Sequence, residues 1–273
     1  MITRSWQRVR AALAGRERTS GEPQSANGAS SFHLVWDIPT VPLAEVSVTL
    51  EVLVPPVASR LYFWALQVSF ASERRLYGGA HLGIQWNKRY PGNTAVNWGG
   101  YGPMDRGETL LAGSASPLRG PRSDPNTREF PWAAGHPYRL RIAPSPGEAP
   151  EGMHAWRGTV SDLDEGREHL VRDLYAAGEF LLSPMMWSEV FARCEQPSVS
   201  VRWSDLRAVT ADGEPVRPRN VRVNYQSRSD GGCDNTTVGV DELGILQTTA
   251  VPRRIPQGAI LPVPGADPPK RRR

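Results

Sequence analysis

The strongest constraint on this chain is a pattern repeated along it: short stretches in which apolar and polar side chains alternate, cut off at close intervals by glycine and proline. VSVTLEVLV (46–54), LYFWALQVSF (61–70), AHLGIQW (80–86), TAVNW (94–98), YRLRI (138–142), AWRGTV (155–160), EHLVRDL (168–174), SVSVRWSDLRAV (198–209) and NVRVNYQ (220–226) all read this way. Alternation with period two places successive side chains on opposite faces of a strand. The 26 glycines and 25 prolines break the chain too often for long helices. The pattern predicts an all-β protein, an antiparallel β-sandwich of jelly-roll type, with a short helix over VRDLYAAGEFLL (171–182) and a mostly looped stretch at 99–131.

Charge is distributed unevenly. The chain has a net charge of +4, yet residues 1–18 alone carry +4 and residues 252–273 carry +5, which leaves the centre at −5. The centre therefore lacks the cationic excess that phosphate binding needs, and any contact with nucleic acid or anionic lipid falls to the basic ends. Residues 1–30 read as a flexible basic segment and linker, with Trp6, Val9 and Leu13 on one side of a short amphipathic stretch. Residues 31–250 read as one β-sandwich domain, and residues 251–273 as an irregular tail rich in proline and arginine. No apolar run approaches the roughly 20 residues of a membrane span, and no export signal is recognised, so the expected location is the cytoplasm.

Within the sandwich, one face stands out. In 61–70 the apolar set Tyr62, Trp64, Leu66, Val68 and Phe70 must face the core, which turns Gln67 outward. The same logic turns His81 and Gln85 outward in 80–86 and Asn97 outward in 94–98, with Gly83 expected to leave room for an approaching molecule. Planar amides and an imidazole on one face suit vicinal hydroxyls, and Tyr77, Tyr90 and Tyr101 in the flanking loops could cover the apolar face of a sugar ring. A glycan or other small polar ligand is the expected partner. A merely solvated face is the alternative.

Two stretches carry a resemblance. WAAGHPYRLRI (132–142) followed by AWRGTVSDLDEGREHLVRDL (155–174) resembles the concanavalin A-like jelly roll of lectins and glucanases. YGGAHLGIQWN (77–87) is similar to the Gly-Gly-x-x-Gly-Ile-Gln signature of an uncharacterised bacterial sandwich family whose members often accompany carbohydrate-related domains. The resemblance covers about residues 60–174 and implies the sandwich fold that lectins and glucanases share, with no established reaction to carry over. Glucanases of this architecture carry a Glu-x-Asp-x-x-Glu strand, and this chain has none.

A glycoside hydrolase or polysaccharide lyase would have to use Glu189 in MMWSEVF and Asp205 in VRWSDL, each following Trp-Ser. The expectation is that they face each other across the sheet, Glu189 acting as an acid beside Trp187, or that an arginine simply pairs with Glu189. SDLDEG (161–166) spaces Asp162 and Asp164 to share a structural calcium, or else to build a plain hairpin turn; no other cofactor is implied. Arg139, Arg141 and Arg157 are expected to pair with acids. Cys194 and Cys233 form no CxxC pair, so they are either free thiols or, from their loop-like settings, one disulfide. No phosphate loop, dinucleotide fingerprint, His-Glu-x-x-His or Gly-x-Ser-x-Gly occurs.

Overall fold

The computed structural model describes residues 17–73, 75–103, 107, 109–122 and 124–265; the N-terminal amphipathic stretch and the basic cluster at 270–273 lie outside them. The strands, in chain order, are β1 (Ser30–Asp37), β2 (Leu43–Val54), β3 (Tyr62–Ser72), β4 (Arg75–Trp86), β5 (Thr94–Tyr101), β6 (Thr127–Glu129), β7 (Pro137–Pro144) and β8 (His154–Asp162). They continue with β9 (Arg167–Ala176), β10 (Phe180–Val190), β11 (Ser200–Thr210), β12 (Pro215–Val216), β13 (Asn220–Tyr225), β14 (Thr236–Val240), β15 (Ile245–Thr249) and β16 (Ile260–Pro262). Helical backbone among the described residues is limited to a single 3₁₀ turn at Pro91–Asn93. No described helix is long and apolar enough to cross a membrane.

All pairings are antiparallel and assort into two layers. The front layer runs β16-β13-β1-β10-β3-β4-β5-β6 and the back layer β9-β8-β7-β2-β11-β15-β14, with β12 on the flank of β11. The layers are joined where Leu181 of β10 pairs with Leu43 of β2. Between them lies one core, into which the predicted inward residues of β3, β4 and β5 project: Trp64, Leu66, Val68, Phe70, Leu82, Ile84, Val96 and Trp98 are all at most 1% exposed. Each such large side chain contributes about 1.5–3 kcal/mol by leaving water. Trp98 reaches across to the back layer, its indole N–H donating to the carbonyl of Trp156 at 3.1 Å. Gly158 makes room for it, since a Cβ there would lie 2.7 Å from the Trp98 ring.

The predicted strands all form, and three expectations are corrected. The helix expected at 171–182 is instead the end of β9 and the start of β10, because Val171, Leu174 and Leu181 are drawn into the core by neighbouring strands. Regular structure also extends past residue 250, since β16 pairs with β13. Arg253 of the expected tail is packed as well, its guanidinium 3.9 Å from the centre of the Tyr225 ring and 3.0 Å from the Cys233 carbonyl.

The third correction concerns Gly83. The space left by its missing side chain is taken by β3, whose Trp64 carbonyl would lie 2.0 Å from a Cβ at that position. Gly78 and Gly79 lie within β4 beside a bulge. Pairing slips between Ser69 and Ala71, and Gly78 (φ 107°) lets the Tyr101 carbonyl approach.

Candidate functional site

The outer face of the front layer carries a cleft of about 520 Å³. Strand register arranges its floor in three rows. Ser31, Glu189, Phe63, Gln85 and Ala95 form one row across β1, β10, β3, β4 and β5; His33, Trp187, Ala65, Gly83 and Asn97 form the next; Met185, Gln67, His81 and Gly99 form the third. At about 4.8 Å per strand the five-strand rows span roughly 19 Å. Gln67, His81, Gln85 and Asn97, assigned to one face by alternation, are therefore neighbours on this floor, and all four line the cleft.

The middle of the floor is aromatic. Phe63 and Trp187 meet edge to face at 4.9 Å between centroids, His81 packs against Phe63 at 5.4 Å and Trp187 at 5.7 Å, and Tyr101 stands 6.4 Å from His81. Such pairs contribute about 0.5–1.5 kcal/mol each and fix the rings' attitudes. Enclosure among these rings pushes the His81 pKa down to about 4, against a weaker upward pull from the Asp124 carboxylate, so the imidazole is neutral at pH 7. Burial also lowers His33, opposed by its hydrogen bond to the Asn224 backbone, and its Nδ1 is buried without a partner among the described residues.

The amides are oriented by neighbours of unambiguous chemistry. The Trp187 indole, which can only donate, bonds the Gln67 Oε1 at 2.9 Å and so leaves the Gln67 NH₂ to donate elsewhere. The Asp124 carboxylate, which can only accept, takes the Asn97 Nδ2 at 2.9 Å, and the same nitrogen also reaches Thr127 Oγ1 at 2.8 Å. Asn97 Oδ1 is left as a buried acceptor with no partner among the described residues. Asp124 is itself held by Thr127 Oγ1 at 2.7 Å and the Asn126 N–H at 2.9 Å. Gln85 Oε1 accepts from Asn87 Nδ2 at 3.0 Å, which frees its NH₂ in turn.

Glu189 closes the opposite wall. Its Oε1 accepts from Asn27 Nδ2 at 2.8 Å and Ser31 Oγ at 3.5 Å, and burial raises its pKa against the effect of those two bonds. Among the described residues neither an arginine nor Asp205 faces it, contrary to expectation. Asp205 sits on β11 at φ 48°, paired with Arg139 and, at 2.6 Å, with Arg207, and lines a separate cavity with Arg217. Burial pulls the Asp205 pKa up, but the hydrogen bonds from Arg207 and Arg139 outweigh it and leave it lowered. The bland expectation for Arg139, Arg141 and Arg157 does hold: they pair with Asp205, Glu45 and Asp173.

Two of the three tyrosines are elsewhere. Tyr90 is buried, its hydroxyl donating to the Thr127 carbonyl at 3.2 Å, and Tyr77 packs against the core with the Arg75 guanidinium 5.3 Å from its ring. Only Tyr101 lines the cleft. Asp162 uses Oδ1 to accept the N–H groups of Asp164 and Glu165, both at 3.0 Å, which is the bonding of a hairpin turn. His136 joins the two aspartates, so three ligand atoms lie within 4.8 Å of one another and could hold a cation. Cys194 and Cys233 form a disulfide with their Cα atoms 5.7 Å apart.

Residues that alternation missed include Phe63, Trp187, His33, Glu189 as a cleft residue, and Asp124. Phe63 and Ala65 share parity with Gln67 and were legible from the same stretch. Asp124 lies in a loop with no periodicity to read.

No protein-family model matches the chain, and no curated protein matches it. Among solved structures, it is similar to scytalido-glutamic peptidase bound to a peptide-based transition-state analog, with 11% identity over 85% of this chain and 99% of that one and a TM-score of 0.43. SCP-B, a member of the eqolisin family of peptidases in complex with the tripeptide Ala-Ile-His, gives the same identity, coverage and TM-score.

Proposed function

We propose that the front-layer cleft binds a saccharide and that the protein is a lectin-like, non-catalytic sandwich, on the fold that the jelly-roll resemblance of residues 60–174 implies. One observation carries this reading: the amides around the aromatic floor have fixed and complementary polarity. Gln67 and Gln85 offer donors and Asn97 an acceptor, which is the alternation that vicinal hydroxyls satisfy, while Trp187 and Tyr101 supply apolar surface for C–H faces. The test is a glycan array on the full chain, followed by calorimetry on any hit. His81→Ala combined with Gln85→Ala is expected to weaken binding at least tenfold with the circular dichroism spectrum intact. Unchanged binding would overturn the assignment of this face.

A second reading, hydrolysis of the bound chain, is favoured by Glu189, a partly buried carboxyl with a raised pKa on the cleft wall. It is weaker because the other carboxyl among the described cleft residues, Asp124, is committed to three hydrogen bonds, which leaves no free second carboxylate among them for the two-group chemistry of glycosidases. Release of reducing ends by the wild type and none by Glu189→Gln would favour it over binding alone. The Cys194–Cys233 disulfide supports an oxidising compartment rather than a reducing cytoplasm.

A further inference from the structure

Among the described residues lining the cleft, the charges all have one sign. Among the described residues lining it, the groups with a formal charge at neutral pH are the carboxyl side chains Asp124 and Glu189, and there is no lysine or arginine. The two histidines, His33 and His81, are held uncharged by burial. An acidic saccharide would find no cation to balance it there, and desolvating an unpaired carboxylate or sulfate is costly.

The two carboxyls differ in what they lack. Asp124 has both oxygens occupied, by Asn97 and Thr127 on one and by the Asn126 N–H on the other. Glu189 receives neutral donors on Oε1, and no described residue bonds its Oε2. It lies partly buried next to the ring of Phe63, its register partner, with Trp187 two positions before it on the same strand. A carboxyl, an uncompensated oxygen and adjacent aromatic rings on the wall of an open cleft form a receptor for a positively charged nitrogen.

We propose that the saccharide bound in this cleft carries free amines, and that Glu189 receives one of them as an ammonium ion. This rests on the saccharide reading above and narrows it from glycans in general to amino sugars whose nitrogen is not acylated. Asn97 Oδ1, an acceptor without a partner among the described residues, suits the same ligand, which is richer in donors than a neutral sugar.

The test is calorimetry on the full chain at a pH where the amine is protonated. The probes are four β-1,4-linked or α-1,4-linked tetramers: glucosamine, N-acetylglucosamine, glucose and galacturonic acid. The glucosamine tetramer is expected to bind at least tenfold more tightly than the glucose tetramer, with the galacturonate tetramer weakest. In Glu189→Gln, that preference is expected to fall to within twofold, whereas Glu214→Gln, an exposed carboxyl outside the cleft, keeps it and so controls for general attraction to the acidic domain. Equal affinities for the amine and neutral tetramers, a preference that survives Glu189→Gln, or tightest binding of the galacturonate would each overturn the amine assignment alone. Absence of binding to all four would overturn the saccharide reading together with it.

Discussion

The two walls of the cleft are built in contrasting ways. The wall formed by β3, β4 and β5 carries Gln67, His81, Gln85 and Asn97 on unbroken alternation, so core and cleft residues follow one another down each strand. The wall formed by β10 does not. Before Ser183 the odd-numbered Leu181 faces the core; after Pro184 the even-numbered Met186 does, while Met185, Trp187 and Glu189 turn to the cleft. A bulge at Ser183–Pro184, with Ser183 at φ 51° and pairing interrupted between Leu182 and Met185, reverses the faces. The proline fits there because a bulged residue owes no ladder hydrogen bond. A single extra residue thus decides whether Trp187 and Glu189 meet a ligand or the core.

Deleting Ser183 tests this contrast most severely. Without the bulge, uninterrupted alternation drives Glu189 toward the core and Met186 out, and the expected result is loss of cooperative thermal unfolding. A folded deletion variant that retained the ligand-binding properties of the wild type would break the comparison.

The next largest effect is expected at the disulfide just beyond β10, which ties Cys194 to Cys233 across 39 residues. Closing a loop of that length contributes about 2–4 kcal/mol, so Cys194→Ala with Cys233→Ala should lower the denaturation midpoint in urea accordingly. An unchanged midpoint would show that the β10 wall does not depend on the tether.

The two walls are also expected to answer pH with opposite signs. His81, with a folded pKa of about 4 against 6.5 when exposed, contributes stability that is present above pH 6.5 and lost as pH falls from there through 4. Glu189, raised in the folded state, contributes stability that is present below its unfolded value and lost as pH rises through its folded one. His81→Asn should therefore flatten the acid side of a stability–pH curve, and Glu189→Gln should remove a decline that begins in the ordinary carboxylate range and extends above it. Slopes of the same sign in both variants would sink this account.

The smallest effect belongs to Asp205, whose pairing with Arg139 and Arg207 lies outside the cleft. Asp205→Asn is expected to cost about 1 kcal/mol or less and to leave ligand binding within error. A binding defect would mean that the two sites communicate.

Much of the fold follows from local pattern. Every alternating stretch became a strand, because alternation is itself the statement that one face of an extended chain can be buried. What stayed hidden were β1, whose SSFHLVWD alternates cleanly but follows directly on the presumed linker, β10, whose bulge and proline disguise it, and the short pieces β6, β12, β14, β15 and β16, which exist because a neighbour supplies hydrogen bonds.

The candidate site divides along the same line. The sequence alone determined that Gln67, His81, Gln85 and Asn97 each point away from the core on their own strands, since that depends only on the period of two within each strand. Which strands lie side by side, that Asp124 and Trp187 turn the amides, that Tyr77 and Tyr90 lie elsewhere, and that Glu189 stands without a cation among the described residues were decided by the tertiary structure. Those facts depend on register between segments distant in sequence, and one inserted residue is enough to change them.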